Sequence, residues 1–338
     1  MVSKSSKQCF RWRNFRKPSP CKKQVGRVLA LTFWLSLAYA QTVNPAQQTA
    51  SNQPTYVLHE NVQEVLLYCT VVDRKGKLVT DLDRPAFKVF ENKLPAVITH
   101  FSNTDVPVSL ALVLDDSGSM KDKRPAVQSA AIDLIKASNP EDETSITNFA
   151  DIAYLDQEFT SDLSKLRTAL AQSKTVSGGT ALFDTLIGAA NHLAEASHHS
   201  KQVIVVVTDG RDNASGADLP AAIRRVQTAN SPVIYTIGLL YDVPSLDVRS
   251  ARHDLQTLSD ETGGIAFFPG SVSEVDKIAA EVAKDIRNQY TIAYRPPSKP
   301  STEGYRTIAV NASSPTHEKL MVRTRKGYLR MKDPTSDH

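Results

Sequence analysis

The 338-residue sequence predicts an α/β protein built on a doubly wound, mostly parallel sheet, with β-rich segments on either side of it in the chain. Three observations carry the prediction. Between residues 106 and 288, apolar β-like runs alternate with segments whose apolar residues recur every three or four positions, the order that gives a parallel sheet covered by helices. The run KQVIVVVTDG at 201–210 is β-branched and lacks a polar alternate, as a central parallel strand buried on both faces requires. Before residue 105 and after residue 288, short β runs cut by turn residues replace that alternation.

In chain order, residues 1–40 read as an export signal. A long basic stretch precedes the apolar run VLALTFWLSLAYA, and small residues at Ala38 and Ala40 predict cleavage before Gln41. The run is shorter than the roughly 20 residues of a membrane-spanning helix; an uncleaved anchor at 28–40 is the alternative, and the only membrane contact expected. Residues 41–55 are polar and rich in Gln, Asn and Pro, the composition of a disordered linker. Over 56–105, VLLYCTVVD, a turn at Arg74-Lys75-Gly76-Lys77, LVTDL, FKVFEN and AVITHFS predict strands. The α/β unit follows over 106–288. Strand VSLALVL leads to a helix at PAVQSAAIDLIKA, whose Pro125 suits a first helical turn, and then to strand TSITNFA. Helices are predicted at Leu163–Gln172 and over 181–196, 219–229, 253–262 and 272–288, with strands at 201–208, VIYTIGL and GIAFFP between them. QYTIAYRP, YRTIAVNA and KLMVRTRKGYL restore the β texture over 289–330 and leave a tail at 331–338. Flanks of about 50 and about 45 residues are each marginal as independent cores. They are therefore expected to join in one β-sandwich with the α/β domain inserted, two separate β modules being the alternative.

The formal net charge of +4 conceals an acidic body: nine of the 40 Lys and Arg lie in residues 1–40, which hold no Asp or Glu, leaving 31 basic against 36 acidic residues. A nucleic-acid partner argued from overall charge would rest on the signal segment, and none is expected. Near the carboxyl end, Lys319, Arg323, Arg325, Lys326, Arg330 and Lys332 interleave with Leu320, Val322 and Thr324, the pattern of a strand with one solvated face. Cys9 and Cys21 belong to the signal. Cys69, within VLLYCTVV, then has no intrachain partner and is expected to be a buried, inert thiol.

The stretch VLDDSGSM at 113–120 places two carboxylates and two hydroxyls directly after the first α/β strand. Open α/β sheets bind ligands outside the carboxyl ends of their strands, so the position favours a functional role. Asp209, directly after KQVIVVVT, and Thr180, in Ser177-Gly178-Gly179-Thr180 ahead of the helix at 181, are expected at the same edge. Asp115-x-Ser117-x-Ser119, then Thr180 behind its glycine pair, then Thr208-Asp209-Gly210 behind a hydrophobic strand, together resemble the metal-ion-dependent adhesion site of von Willebrand factor type A domains. The resemblance covers roughly 106–288. With its flanks, the chain is similar to a group of secreted bacterial von Willebrand factor A-related proteins.

That resemblance implies a divalent cation held by Asp115, Ser117, Ser119, Thr180 and Asp209, directly or through water, with an Asp or Glu of a partner protein completing the shell. Hard oxygen donors suit Mg²⁺ first, with Mn²⁺ and Ca²⁺ as alternatives. It implies an adhesion-type binding module and not an enzyme. Asp116, Gly179, Asp212 and Asp151 are expected around the rim, Asp116 facing solvent or capping the following turn. Other chemistries lack their patterns. Asp115 has Ser117 where a phosphoryl-accepting aspartate has a second acid, and no G-x-S-x-G, G-x-x-x-x-G-K-[ST], H-E-x-x-H or strand-following G-x-G-x-x-G is present. His198-His199 is expected as an exposed helix end. A scaffold whose metal loop only stabilises the fold, and a metal-assisted hydrolase, are the alternative readings.

Overall fold

The computed structural model describes residues 64–173, 178–228, 231–242, 245–297 and 304–330. The signal, linker and tail expected at 1–55 and 331–338 lie outside the described residues, as do Ser177 and Lys332. The chain runs β1 (Val65–Val72), β2 (Phe87–Glu91), β3 (Leu94–Ser102), β4 (Val108–Asp115), α1 (Arg124–Ala137), β5 (Glu143–Phe149), β6 (Ala153–Thr160), α2 (Leu163–Gln172) and α3 (Leu182–Ala196). It continues through β7 (Lys201–Thr208), α4 (Leu219–Val226), β8 (Val233–Gly238), α5 (Ser245–Thr262), β9 (Ala266–Phe267), α6 (Val275–Arg287), β10 (Tyr290–Arg295), β11 (Gly304–Ala312), β12 (Met321–Arg323) and β13 (Gly327–Arg330).

The α/β sheet has the order β6-β5-β4-β7-β8-β9, parallel throughout except for the antiparallel edge strand β6. Leu114 lies opposite both Asn148 of β5 and Val207 of β7, so these strands end level along one edge, the upper edge. From β4 the chain builds outward to β5 and β6, then crosses back to β7 on the other side. Strand order therefore reverses between β4 and β7, and the loops leaving them diverge, which opens a crevice at that point. Every residue of β4 and β7 is buried. Alternate β4 side chains face opposite layers, as strand geometry demands: Leu110, Leu112 and Leu114 pack with Val127 and Leu134 of α1 and Val282 of α6, whereas Ala111 and Val113 pack with Leu186 of α3 and Leu255 of α5.

Four elements depart from the sequence expectation, the first being LVTDL, which forms no strand and keeps only an isolated bridge from Leu78 to Val72. Strand β6 was not expected, because AYLDQEFT is a half-buried edge strand and shows no apolar alternation. Helix α5 begins at Ser245 and not at 253; its first two turns, SLDVRSAR, carry too few apolar residues to display a helical period. The stretch expected as one strand, KLMVRTRKGYL, divides into β12 and β13.

Strands from both flanks interleave in one antiparallel sheet of seven described strands, β12-β1-β10-β3-β2-β11-β13. Its two edge strands, β12 and β13, are joined by residues 324–326 alone. A flat sheet of this width would set its edges roughly 29 Å apart, but the link reaches only about 14 Å when fully extended. The sheet must therefore curl until its edges approach. Where the sequence suggests a two-layer sandwich, the flanks make one curled sheet around a shared core that includes Leu67, Val71, Phe87, Ile292 and Tyr294. Gly263, at φ +89, ends α5 and lets the 324–326 link pass, since a β-carbon there would lie 2.6 Å from the Thr324 carbonyl carbon.

That geometry overturns the solvated basic face. Arg325 is buried and donates to the carbonyls of Leu66 and Thr228, and Arg323 pairs with Asp285 at 2.6 Å. Cys69 is fully buried in the curled sheet, and burial pushes its thiol up to about 12. Among the described residues, no helix is long and apolar enough to cross a membrane.

Candidate metal centre

The site is assembled by three loops at the upper edge. The first leaves β4. Asp115, its last strand residue, is buried, and its Oδ1 accepts from the Ser117 backbone N–H at 2.8 Å, tightening the chain into the 3-10 turn Gly118–Met120. Buried Met120 anchors that turn below, which leaves the Ser119 hydroxyl at the surface. The second loop leaves β7, next to β4 and in register with it. Thr208 donates its hydroxyl to Asp115 Oδ2 at 2.6 Å, and Asp209 follows, buried like Asp115.

The third loop precedes α3 and is stitched to the other two. The Ala181 N–H donates to the Ala150 carbonyl just beyond β5. Thr180 donates its N–H to Asn213 Oδ1 at 2.8 Å, and its carbonyl accepts from the N–H groups of Asn213 and Ala214. Gly179 is required by this approach: a β-carbon there would lie 2.5 Å from Asn213 Oδ1 and 2.9 Å from the Ala214 methyl. Thr180 Oγ1 consequently lies over Gly210, beside Asp209.

A chain of hydroxyls connects the acids. Ser117 Oγ and Ser119 Oγ are 3.1 Å apart, and Ser119 Oγ donates to Asp209 Oδ1 at 2.8 Å. Ser117, Ser119, Thr180 and Asp209 line an open groove of about 1220 Å³, with Asp122, Arg211, Asp247 and Tyr241 farther out. Asp115 is set one layer behind and orients Ser117. Its burial raises the carboxyl pKa, opposed by the Thr208 and Ser117 hydrogen bonds and reinforced by the Asp209 charge.

The donor set fits a hard cation. It offers two carboxylates and three neutral hydroxyls, and each ionised carboxylate oxygen has two lone-pair sites, of which the described bonds at Asp115 use one apiece. Histidine and cysteine are absent from the described residues of this lining, which disfavours zinc or copper against Mg²⁺ or Ca²⁺.

The expected rim residues divide. Asp116 turns away from the groove and is buried: Arg124 approaches its carboxylate at 2.6 Å, as an ion pair outside hydrogen-bond alignment, and Ser173 donates to it at 2.7 Å. Burial raises its carboxyl pKa, against the Ser173 hydrogen bond and the Arg124 charge. Neither solvent exposure nor a turn cap describes it. Asp212 does line the groove, but its Oδ2 accepts from the Phe183 N–H in the first turn of α3 and from the Ser215 hydroxyl, which is structural work. Asp151 is exposed beside Gly178. His198 follows α3 as an exposed residue, with Nδ1 2.7 Å from Glu143 Oε2.

Sequence reasoning missed Lys123. Its Nζ donates to Asp209 Oδ2 at 2.8 Å and more weakly to the Leu239 carbonyl at 3.4 Å, and it lies 5.0 Å from the centroid of the Tyr241 ring. One local signal existed. Lys123 occupies the N-cap of α1, where the helix dipole disfavours a cation, so something outside the helix must hold it there. Asn213 was missed as well, because nothing local marks a side chain that bridges two loops.

The family model for the von Willebrand factor type A domain matches residues 110–211. The calcium-activated chloride channel regulator 3A-1 of Mus musculus is 29% identical over 168 residues, which cover 47% of this chain and 17% of that protein. Among solved structures, a von Willebrand factor type A protein from Catenulispora acidiphila aligns with TM-score 0.48 and 13% identity over 80% of this chain and 75% of its own. The vWF domain of the type V pili tip protein Mfa5 from Porphyromonas gingivalis aligns with TM-score 0.43 and 16% identity over 54% of this chain and 97% of its own. The loops from β4 and β7 that carry Asp115, Ser117, Ser119 and Asp209 fall within the matched segment, and this chain carries a von Willebrand factor type A domain.

Proposed function

We propose that this chain is an exported protein-binding module of the adhesion type, in which Asp115, Ser117, Ser119, Thr180 and Asp209 hold a divalent cation, Mg²⁺ in preference to Mn²⁺ or Ca²⁺. One observation carries the reading: three loops at the upper edge bring the Asp209 carboxylate and three hydroxyls to one open groove, with the Asp115 carboxylate directly behind Ser117. A bound cation would supply an electrophilic position for an Asp or Glu carboxylate of a partner protein. The chain's own residues prepare that position. Asp115 fixes the first loop, Ser119 and Asp209 orient each other, and Asn213 holds Thr180 over Gly210. The export signal at 1–40 supports an exported destination. Asp209, the carboxylate that accepts from the Ser119 hydroxyl, is also paired with Lys123, and we read the site as one of binding and not of catalysis.

Thermal unfolding with and without Mg²⁺ tests the assignment. At a cation concentration of 100 Kd, the folded chain should gain about 2.7 kcal/mol. Asp115→Ala and Thr180→Ala should each remove that gain while near-UV circular dichroism stays native; unchanged cation affinity in both refutes the site. Pull-down from the extracellular fraction with EDTA elution tests the partner. If EDTA lowers the melting temperature yet leaves the captured protein bound, the scaffold reading replaces the adhesive one.

A further inference from the structure

We propose that Lys123 is a tethered counter-ion of the cation site, which neutralises Asp209 in the cation-free protein, weakens cation binding, and leaves the loaded site in need of one anionic ligand. The inference rests on the metal-site reading above and concerns a residue outside that ligand set.

Three observations place Lys123 in this role. Its ammonium is 2.8 Å from Asp209 Oδ2, and the two side chains are 10% and 0% exposed, so solvent screens the pair little. Its backbone sits at the N-cap of α1, the helix end at which a positive charge is disfavoured; the attraction that holds it comes from Asp209. Among the described residues, the remaining contacts of the ammonium are the Leu239 carbonyl and the Tyr241 ring face, and Asp209 is its charged partner.

The charge count gives the consequence. Asp115, Asp209 and Lys123 together carry −1 when ionised. A dication brings the site to +1, and one carboxylate ligand brings it to zero. Without Lys123 the same steps run from −2 through zero to −1, so the cation would bind more tightly and the carboxylate less favourably. The count covers the site's own groups; Asp212 also lines the groove, its carboxylate held by the Phe183 N–H and the Ser215 hydroxyl, and it adds the same charge to both series, leaving their difference unchanged. Asp116 is paired with Arg124, and Arg211 faces Asp247 at 3.8 Å with both side chains more than half exposed. Asp122 is exposed at the groove's rim, where solvent screens it.

The test uses the full chain, titrated with MnCl₂ by isothermal calorimetry, and then ¹⁹F relaxation of trifluoroacetate by the bound Mn²⁺. Lys123→Gln and Lys123→Met should bind Mn²⁺ about tenfold more tightly than the unaltered chain, and Lys123→Arg, which keeps the charge, within about twofold of it. Trifluoroacetate relaxation should fall several-fold in the Gln and Met variants when Mn²⁺ is saturating. The two neutral variants guard against one that fails to fold, checked by circular dichroism. Saturable Mn²⁺ binding that Asp115→Ala abolishes but neutral variants leave unchanged or weaken overturns the role of Lys123 alone. If neither the unaltered chain nor any Lys123 variant binds Mn²⁺, the metal site falls and this inference with it.

Discussion

The two ends of the α/β sheet both collect buried ions, and they handle them differently. At the lower edge, where the strands begin, Asp285 of α6 accepts from the Tyr235 hydroxyl at 2.6 Å and the Thr70 hydroxyl at 3.3 Å, and pairs with Arg323 of β12. Lys201, at the start of β7, donates to the Ile286 carbonyl and lies under the Tyr68 ring. The curled sheet supplies Tyr68, Thr70 and Arg323 and closes this edge. At the upper edge the curled sheet supplies no described residue to the groove, and hydroxyls stand between the acids there. A cluster of charges is therefore not by itself a site. What separates the two edges is whether an open groove lets a ligand reach the groups that line it.

Breaking the closed edge should have the largest effect. Asp285→Ala strands the Tyr235 hydroxyl and the Arg323 guanidinium, and urea unfolding should show a loss on the order of 3 kcal/mol, with cation affinity at the upper edge unchanged. A loss below about 1 kcal/mol would mean that the lower network is not what holds the edges together.

Titrating Lys201 sharpens the contrast. Burial is the chief cause that lowers its pKa from 10.5 to about 8, against the charges of Asp105, Asp142 and Asp285. Between about pH 8 and 10.5 the unfolded chain binds a proton that the folded chain does not, so this group makes stability rise with pH across that window. Relative to Lys201→Met, the unaltered chain should gain about 2 kcal/mol from pH 8 to pH 10.5. A flat difference would show that the ammonium is as well solvated by its partners as by water.

The smallest effect belongs to the open edge. Gly179→Ala forces Asn213 and Ala214 away, and should cost about 1 kcal/mol of stability while cation affinity falls several-fold by calorimetry. An unchanged affinity would show that Thr180 needs no such bracing to reach the site.

Much of this molecule was legible locally. The buried run in β7, the helical periods of α1 and α3 and the acid-hydroxyl cluster after β4 are short-range patterns, and each lies where periodicity and turn chemistry put it. Strand β6 and the first turns of α5 were not legible, because half-exposed elements carry no strong apolar period. Asp116 illustrates the other limit. Its neighbours in sequence are site residues, but a strand end sends successive side chains in opposite directions, and the partners that claim it, Arg124 and Ser173, come from two helical segments.

By itself the sequence determined the alternating α/β core and the β flanks, since periodicity is a property of neighbouring residues, while positions 115, 117, 119, 180 and 209 were singled out through the family resemblance. Only the tertiary structure decided that both flanks curl into one sheet, that Arg325 is buried, and that Lys123 reaches Asp209. Those facts depend on contacts between segments up to 259 residues apart, and long side chains such as Lys and Arg take their partners from whatever packing brings within reach.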